Sequence, residues 1–141
     1  MLFRSTKLRI ASYLACVTNS NRTTLVLGAS NNPERYSYLA VQSLLQAGIP
    51  VLALGGRAGT VEGITIHLQW EELPADPIDT ITLYLGADRQ RPYYDRILSA
   101  RPRRIIFNPG TENPEFSQLA QAAGIETMEA CTLVMLRARL Y

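Results

Sequence analysis

One histidine, one lysine and two cysteines are all that 141 residues contain of those types, and each scarcity closes off a class of function. A lone His67 excludes a histidine cluster for a metal. Cys16 and Cys131 stand far apart, without the short spacing of a zinc site or a redox motif, so no disulfide framework is expected and a reduced, cytoplasmic setting is the default. No apolar run approaches the length of a membrane span. Excess charge is scarce too. A formal net charge of +2 is too small to argue for nucleic acid as a partner. Ser30 lacks the G-x-S-x-G elbow of a serine hydrolase, and the later glycines of a G-x-G-x-x-G fingerprint are missing after Gly28.

What remains is the composition of a folded domain. Hydrophobic residues make up 47% and charged residues 18%, which argues for a globular chain, and the length suits one domain with a sizeable core. Thirteen of the fourteen basic residues are arginine, a bias that suits bidentate contacts to phosphate or carboxylate and that a GC-rich genome would also produce. Residues 1–21 differ from the rest, with Arg4, Lys7 and Arg9 but no acid before Glu34. The run Ile10 to Val17 resembles a weak signal core, yet it is short and lacks a small-x-small cleavage site. A loosely ordered N-terminal extension is the expectation for 1–21, with the domain proper over 22–141.

The most informative stretch runs from Thr24 to Arg35. An apolar, β-rich segment ends at Gly28, and Ala29, Ser30, Asn31, Asn32 and Pro33 lead into a helix-like segment. A strand, a tight turn and a helix start put unpaired N–H groups and the positive end of a helix dipole above the turn, where anions settle. Gly28 and Ala29 keep the turn small, and Ser30, Asn31 or Asn32 would cap the helix or donate to a phosphate oxygen. The same residues also fit an ordinary tight βα turn.

From Thr23 onward strand-like and helix-like segments alternate. Strands are expected at Thr24–Leu27, Pro50–Leu54, Ile64–Leu68, Ile78–Leu85, Arg104–Phe107 and Glu126–Glu129. Helices are expected at Tyr36–Ala47 (with Leu39, Ala40, Leu44 and Ala47 on one face), Pro92–Ala100, Glu115–Ala123 and Cys131–Leu136, with a single turn at Trp70–Leu73. Such alternation means βαβ units. The fold class is therefore α/β: a doubly wound, Rossmann-like, mostly parallel sheet of about five to six strands with helices on both faces. Ligands bind such sheets above the carboxyl ends of the strands, so the loops after Leu27, Leu54, Leu85 and Phe107 should converge.

Two of those loops carry chemistry. After the second strand an NAD site usually has an Asp or Glu for the ribose hydroxyl, whereas this chain has Leu54-Gly55-Gly56-Arg57. Arg57 would pair with a phosphorylated ribose, which favours coenzyme A or NADP; a solvated loop arginine is the alternative. Asn108-Pro109-Gly110-Thr111 forms a polar turn that would close over a diphosphate or pantetheine arm, or simply lead to Asn113 as the cap of the next helix. Other candidates are weaker. His67 has no carboxylate nearby in sequence, Cys131 has no supporting base, and Glu112 and Glu115 flank a helix start where acids belong. Arg101, Arg103 and Arg104 read as a solvated basic knot. Tyr84, Tyr93 and Tyr94 suit an adenine slot or the core. No nucleophile, base or metal site stands out.

Gly28 to Tyr36, the Gly55–Gly63 loop and Asn108-Pro109-Gly110-Thr111-Glu112-Asn113 together resemble the stand-alone CoA-binding domain proteins (the YccU-like group). These are similar to the N-terminal domain of the succinyl-CoA synthetase α subunit. The likeness covers roughly Thr23 to Leu136. It implies that Gly28 to Arg35 hold the CoA phosphates and that Arg57 stands near the adenosine 3′-phosphate. It also implies that Asn108, Pro109 and Gly110 pack against the pantetheine arm. The second loop departs from the commoner Asn-Pro-Lys type. The ligase domain with its phosphohistidine has no counterpart here, so acid–thiol ligation is not implied. The resulting expectation is a binding module for CoA or acyl-CoA without a catalytic site of its own. It would serve as a homodimer or alongside an acyl-CoA-using partner, with no membrane or nucleic acid involved. Two alternatives stand beside it: an NADP- or CoA-dependent reductase or transferase completed by Cys131 or a partner chain, and a scaffold whose site is vestigial.

Overall fold

A computed structural model describes residues 22–141, so the expected N-terminal extension lies outside the described residues. The described chain folds as β1 (Thr24–Ala29), α1 (Tyr36–Gln46), β2 (Val51–Gly55), β3 (Gly59–Val61), β4 (Ile64–His67) and a 3-10 turn (Trp70–Glu72). It continues with β5 (Thr80–Leu83), α2 (Ala87–Gln90), a second 3-10 turn (Arg91–Tyr93), α3 (Tyr94–Ala100), β6 (Arg104–Phe107), α4 (Pro114–Ala122), β7 (Glu126–Glu129) and α5 (Thr132–Arg137).

The strands form one seven-stranded sheet in the order β3-β4-β2-β1-β5-β6-β7, parallel except for the β3–β4 hairpin. The chain winds outward from β1 to β4, then returns to β5 on the other side of β1 and winds outward again. This is the doubly wound arrangement, with seven strands where five to six were expected; the extra one is β3, three residues inside the Gly-rich loop. Because the sheet is parallel, β1, β2, β5 and β6 end at one rim.

Alternation along each strand divides the core into two layers. Leu25, Leu27, Ile81, Leu83, Ile105 and Phe107 face Tyr94 and Ile97 of α3 and Phe116 and Ala120 of α4. Val26, Ala29, Ala53 and Ile66 face Val41 and Leu44 of α1, with Leu136 of α5 packed at the margin. Tyr94 stacks on Phe116 at 4.2 Å between ring centres, and Phe107 meets the same ring edge-on. The inward stripe of α1 is Ser37, Ala40, Val41 and Leu44, so Leu39 (36% exposed) and Ala47 lie off the face expected of them.

Two further expectations are corrected. The helix expected from Pro92 begins earlier, with a turn at Ala87–Gln90, and Pro92 falls within the 3-10 turn that joins it to α3. Arg104 is not part of a solvated knot. It is 5% exposed, its Nε donates to Thr80 Oγ1 at 2.9 Å, and its guanidinium lies 4.3 Å from the Tyr141 ring centre. Arg103 does face solvent and pairs with Asp79 at 3.0 Å.

Candidate functional site

The turn after β1 depends on Gly28. Its φ is +99°, and a Cβ there would stand 2.8 Å from the carbonyl carbon of Tyr84, the residue that follows β5. At this residue β1 slips out of register with β2. A side chain would force β1 and β5 apart, so only glycine fits. Gly55 serves the second loop in the same way, because a Cβ there would meet the Ala29 carbonyl oxygen at 2.2 Å. The first two rim loops are thus held against each other backbone to backbone.

Between Gly28 and α1 the chain makes a compact polar loop. The Asn32 N–H donates to Ser30 Oγ at 3.0 Å, and the Glu34 N–H donates to Asn32 Oδ1 at 3.0 Å. Neither Ser30 nor any asparagine caps α1. The helix starts at Tyr36, seven residues after Ala29 closes β1, with Arg35 as its N-cap residue and no side-chain cap. Tyr38 and Leu39 N–H groups bond back to the Arg35 carbonyl, while those of Tyr36 and Ser37 take no backbone partner, as the first turn of a helix requires. Ser37 is only 4% exposed, and its hydroxyl makes no hydrogen bond among the described residues.

A cavity of ≈ 570 Å³ opens above this helix start. Gly28, Ala29, Ser30, Asn31, Asn32, Arg35, Arg57, Pro109 and Gly110 all line it, so nine of the ten residues singled out from sequence meet at one place. Thr111 and Tyr84, offered from sequence as a polar arm of the loop and for an adenine slot or the core, line it as well, and so do Ser37 and Arg89, which sequence reading did not single out. No Asp or Glu is among the lining residues, and none of Arg35, Arg57 and Arg89 has a carboxylate partner among the described residues. Elsewhere among the described residues Arg91, Arg96 and Arg103 pair with a carboxylate, whereas Arg101, Arg137 and Arg139 do not. The cavity therefore concentrates uncompensated positive charge.

Asn108 is the exception to the convergence. It is 2% exposed and lies beneath the loop, where its Nδ2 donates to Thr82 Oγ1 (2.6 Å) and the Leu83 carbonyl (2.9 Å). Its Oδ1 accepts the Thr132 N–H at 2.9 Å. Every polar atom of this side chain is engaged inside the protein. Next to it, the Gly110 N–H donates to the Glu112 carboxylate at 2.9 Å, so an anionic group already occupies that amide. Asn113 caps α4, its Oδ1 accepting from Phe116 N at 3.1 Å.

The loop after β5 is bound to the loop after β6 through Gln90, which is fully buried. Its Nε2 donates to the Leu85 carbonyl (2.8 Å) and the Thr111 carbonyl (2.7 Å), and its Oε1 accepts from Asn113 Nδ2 (2.9 Å). Asn113 also donates to the Tyr94 hydroxyl, which in turn donates to Glu115. Sequence reading missed Gln90 because its cross-loop partners, Thr111 and Asn113, lie more than twenty residues downstream.

The remaining candidates lie apart. His67 is half-buried in β4 and Cys131 is half-buried at the start of α5; neither lines this cavity. The Tyr84 hydroxyl is buried without a hydrogen bond, lying near Thr132 and Thr82 but bonded to neither. Burial, with some help from Cys131, pushes its pKa up to about 12. A second cavity of ≈ 560 Å³ shares Gly28, Gly56, Leu85 and Arg89 with the first; Leu54, Leu68, Pro92 and Tyr93 line the rest of its wall together with the polar Gln69 and Asp88. No group of His, Cys, Asp and Glu among the described residues is arranged to hold a metal, and no helix among them is long and apolar enough to cross a membrane.

Comparison with known proteins matches residues 22–137 to a family described as CoA binding domain. A crystal structure of an uncharacterized protein is similar to this chain at 41% identity and a TM-score of 0.80, covering 85% of this chain and 98% of that one. Cell-free ID.343 from Thermus thermophilus is 22% identical with a TM-score of 0.76, covering 92% of this chain and 98% of that one. The dinucleotide-forming acetyl-coenzyme A synthetase 1 of Ca. Korarchaeum cryptofilum is 18% identical with a TM-score of 0.62 over 77% of this chain and 25% of its own. The latter two likenesses concern the fold, which is Rossmann-like. No curated protein matches the chain.

Proposed function

The chain belongs to the CoA binding domain family, and from that premise we propose that the cavity above α1 is a coenzyme A site. The observation that carries the proposal is the convergence of Arg35, Arg57 and Arg89, all without carboxylate partners, on one cavity that has no acidic lining. Arg35 and the Tyr36 and Ser37 amides suit a diphosphate, because a helix start combines free N–H donors with the positive dipole end. Ser30 and Asn32 spend acceptor oxygens on the loop and keep a hydroxyl proton and Nδ2 for the ligand. Arg57, with Gly56, sits where a ribose phosphate would lie, and Pro109, Gly110 and Thr111 wall the side on which a pantetheine arm would run. Residues 22–141 form the binding unit, holding CoA or an acyl-CoA for chemistry done elsewhere.

Calorimetry with CoA, dephospho-CoA, NADP and NAD tests this reading. CoA is expected to bind most tightly, and Arg57→Ala to weaken CoA while leaving dephospho-CoA little changed. NADP outranking CoA would replace the ligand, and failure of all four to bind would refute the site.

A further inference from the structure

We propose that Arg89 is the second jaw of a two-guanidinium clamp, closing with Arg57 on the 3′-phosphate of coenzyme A and so setting the preference for the phosphorylated nucleotide. The inference rests on the reading of the cavity as a CoA site. Arg89 belongs to α2, the single turn that follows the central strand β5, and its N–H donates to the Gly86 carbonyl at 2.9 Å. The next residue, Gln90, is locked by hydrogen bonds to Leu85, Thr111 and Asn113. Arg89 is therefore an exposed side chain standing on an immobile base, as a residue that reads a ligand should be.

Its position is distinctive. Arg89 lines both cavities, and with Gly28, Gly56 and Leu85 it forms the seam between them. Arg57 follows Gly56 directly and lines the first cavity, so the two arginines reach that cavity's wall from loops on opposite sides of β1. Arg89 passes over its neighbour Asp88, whereas Arg91, two residues on, takes Glu115.

Ligand chemistry assigns the charges. Coenzyme A carries two separated anionic groups, a diphosphate and a ribose monophosphate. Arg35 is the arginine at the α1 start, where the diphosphate finds free amides. The monophosphate, with a charge near −2 and three acceptor oxygens, is left for Arg57 and Arg89, the other two arginines that line the first cavity. Each can donate two parallel N–H bonds to it.

The test is calorimetric, with CoA and dephospho-CoA titrated into the full chain and into Arg89→Ala, Arg89→Lys, Arg57→Ala and the double Arg57→Ala/Arg89→Ala variant. Arg89→Ala is expected to lose about 10- to 100-fold in CoA affinity, the range of a charged hydrogen bond, and less than about twofold for dephospho-CoA. Arg89→Lys should recover part of the loss, and the double variant should lose less than the product of the single losses, because the two jaws share one phosphate. Melting temperatures unchanged by Arg89→Ala would show that the fold is intact, as expected for a solvent-facing side chain. Equal weakening of both ligands by Arg89→Ala, or weakening of neither, overturns the clamp. Equal binding of CoA and dephospho-CoA by the unaltered protein overturns it too while leaving the CoA site standing. Binding of neither removes both proposals.

Discussion

Replacing Asn108 by alanine separates a brace from a ligand contact. The side chain joins three elements: Thr82 and Leu83 of β5, its own loop after β6, and the Thr132 N–H that opens α5. Alanine leaves the Thr132 N–H without its acceptor and takes one donor from the Leu83 carbonyl. Thr82 Oγ1 keeps Thr132 Oγ1 at 2.7 Å as a partner, so its share of the loss is small. A buried polar group left unsatisfied costs about 1–3 kcal/mol, which puts the total at roughly 2–6 kcal/mol for two affected groups. For a domain of this size that is a fall of about 8–24 °C in melting temperature. Urea unfolding should show a lower midpoint at unchanged slope, since the same surface is exposed on unfolding. CoA affinity, measured at a temperature where both proteins are folded, should change less than about fivefold, as no atom of Asn108 reaches the cavity. A stability loss below about 1 kcal/mol would refute the bracing role. Equally damaging would be a tenfold loss of CoA affinity in a variant as stable as the original.

Three further outcomes are expected. Gly28→Ala combines a positive φ with a 2.8 Å approach to the Tyr84 backbone, and should cost at least about 2 kcal/mol in urea unfolding and weaken any ligand of the cavity; a neutral effect would contradict the packing of β1 on β5. Asp79 is partly desolvated, which raises its pKa, but hydrogen bonds from Arg103 and Thr80 and the charges of Arg103 and Arg104 outweigh this and hold it below the usual value. Its depressed pKa stabilises the fold above the unfolded value near 4 and that stabilisation is lost as pH falls through the folded one, so Arg103→Ala should flatten the acid limb of a stability–pH curve; unaltered slopes would count against the pair. Tyr84, raised to about 12, favours folding fully below its unfolded pKa near 10 and loses that contribution as pH climbs toward the folded value. Tyr84→Phe should remove this alkaline loss, and because the hydroxyl has no partner the variant should be at least as stable at neutral pH by chemical denaturation.

Much of the architecture was legible because it is written in local pattern. Arg104–Phe107 and Glu126–Glu129 are strands with the expected ends, and α1 begins at Tyr36 as its spacing predicts. The convergence of the rim loops followed from the parallel topology alone, and nine site residues meet in consequence. What local pattern does not encode is where long-range partners fall. Asn108 was placed in the right loop but aimed the wrong way, since its orientation depends on β5 and β6 pairing Leu83 with Phe107. Arg104 reads as solvated until Tyr141, near the other end of the domain, covers it. β3 is three residues long and flanked by glycines, too short for a period of two to register. Arg89 lies before Pro92, where the sequence pattern places the helix start, whereas the structure begins its turn at Ala87.

The bond from Gln90 to the opposite loop bears on how a ligand would enter. Two walls of the rim share one buried amide and so cannot swing apart separately; opening either would break the hydrogen bonds that Gln90 makes with Thr111 and Asn113 together. The conformational entropy of ordering these walls is lost when the chain folds rather than when a guest arrives. Capture would then engage arginine side chains on a finished frame, and its rate would track ionic strength more than any slow closing of a lid.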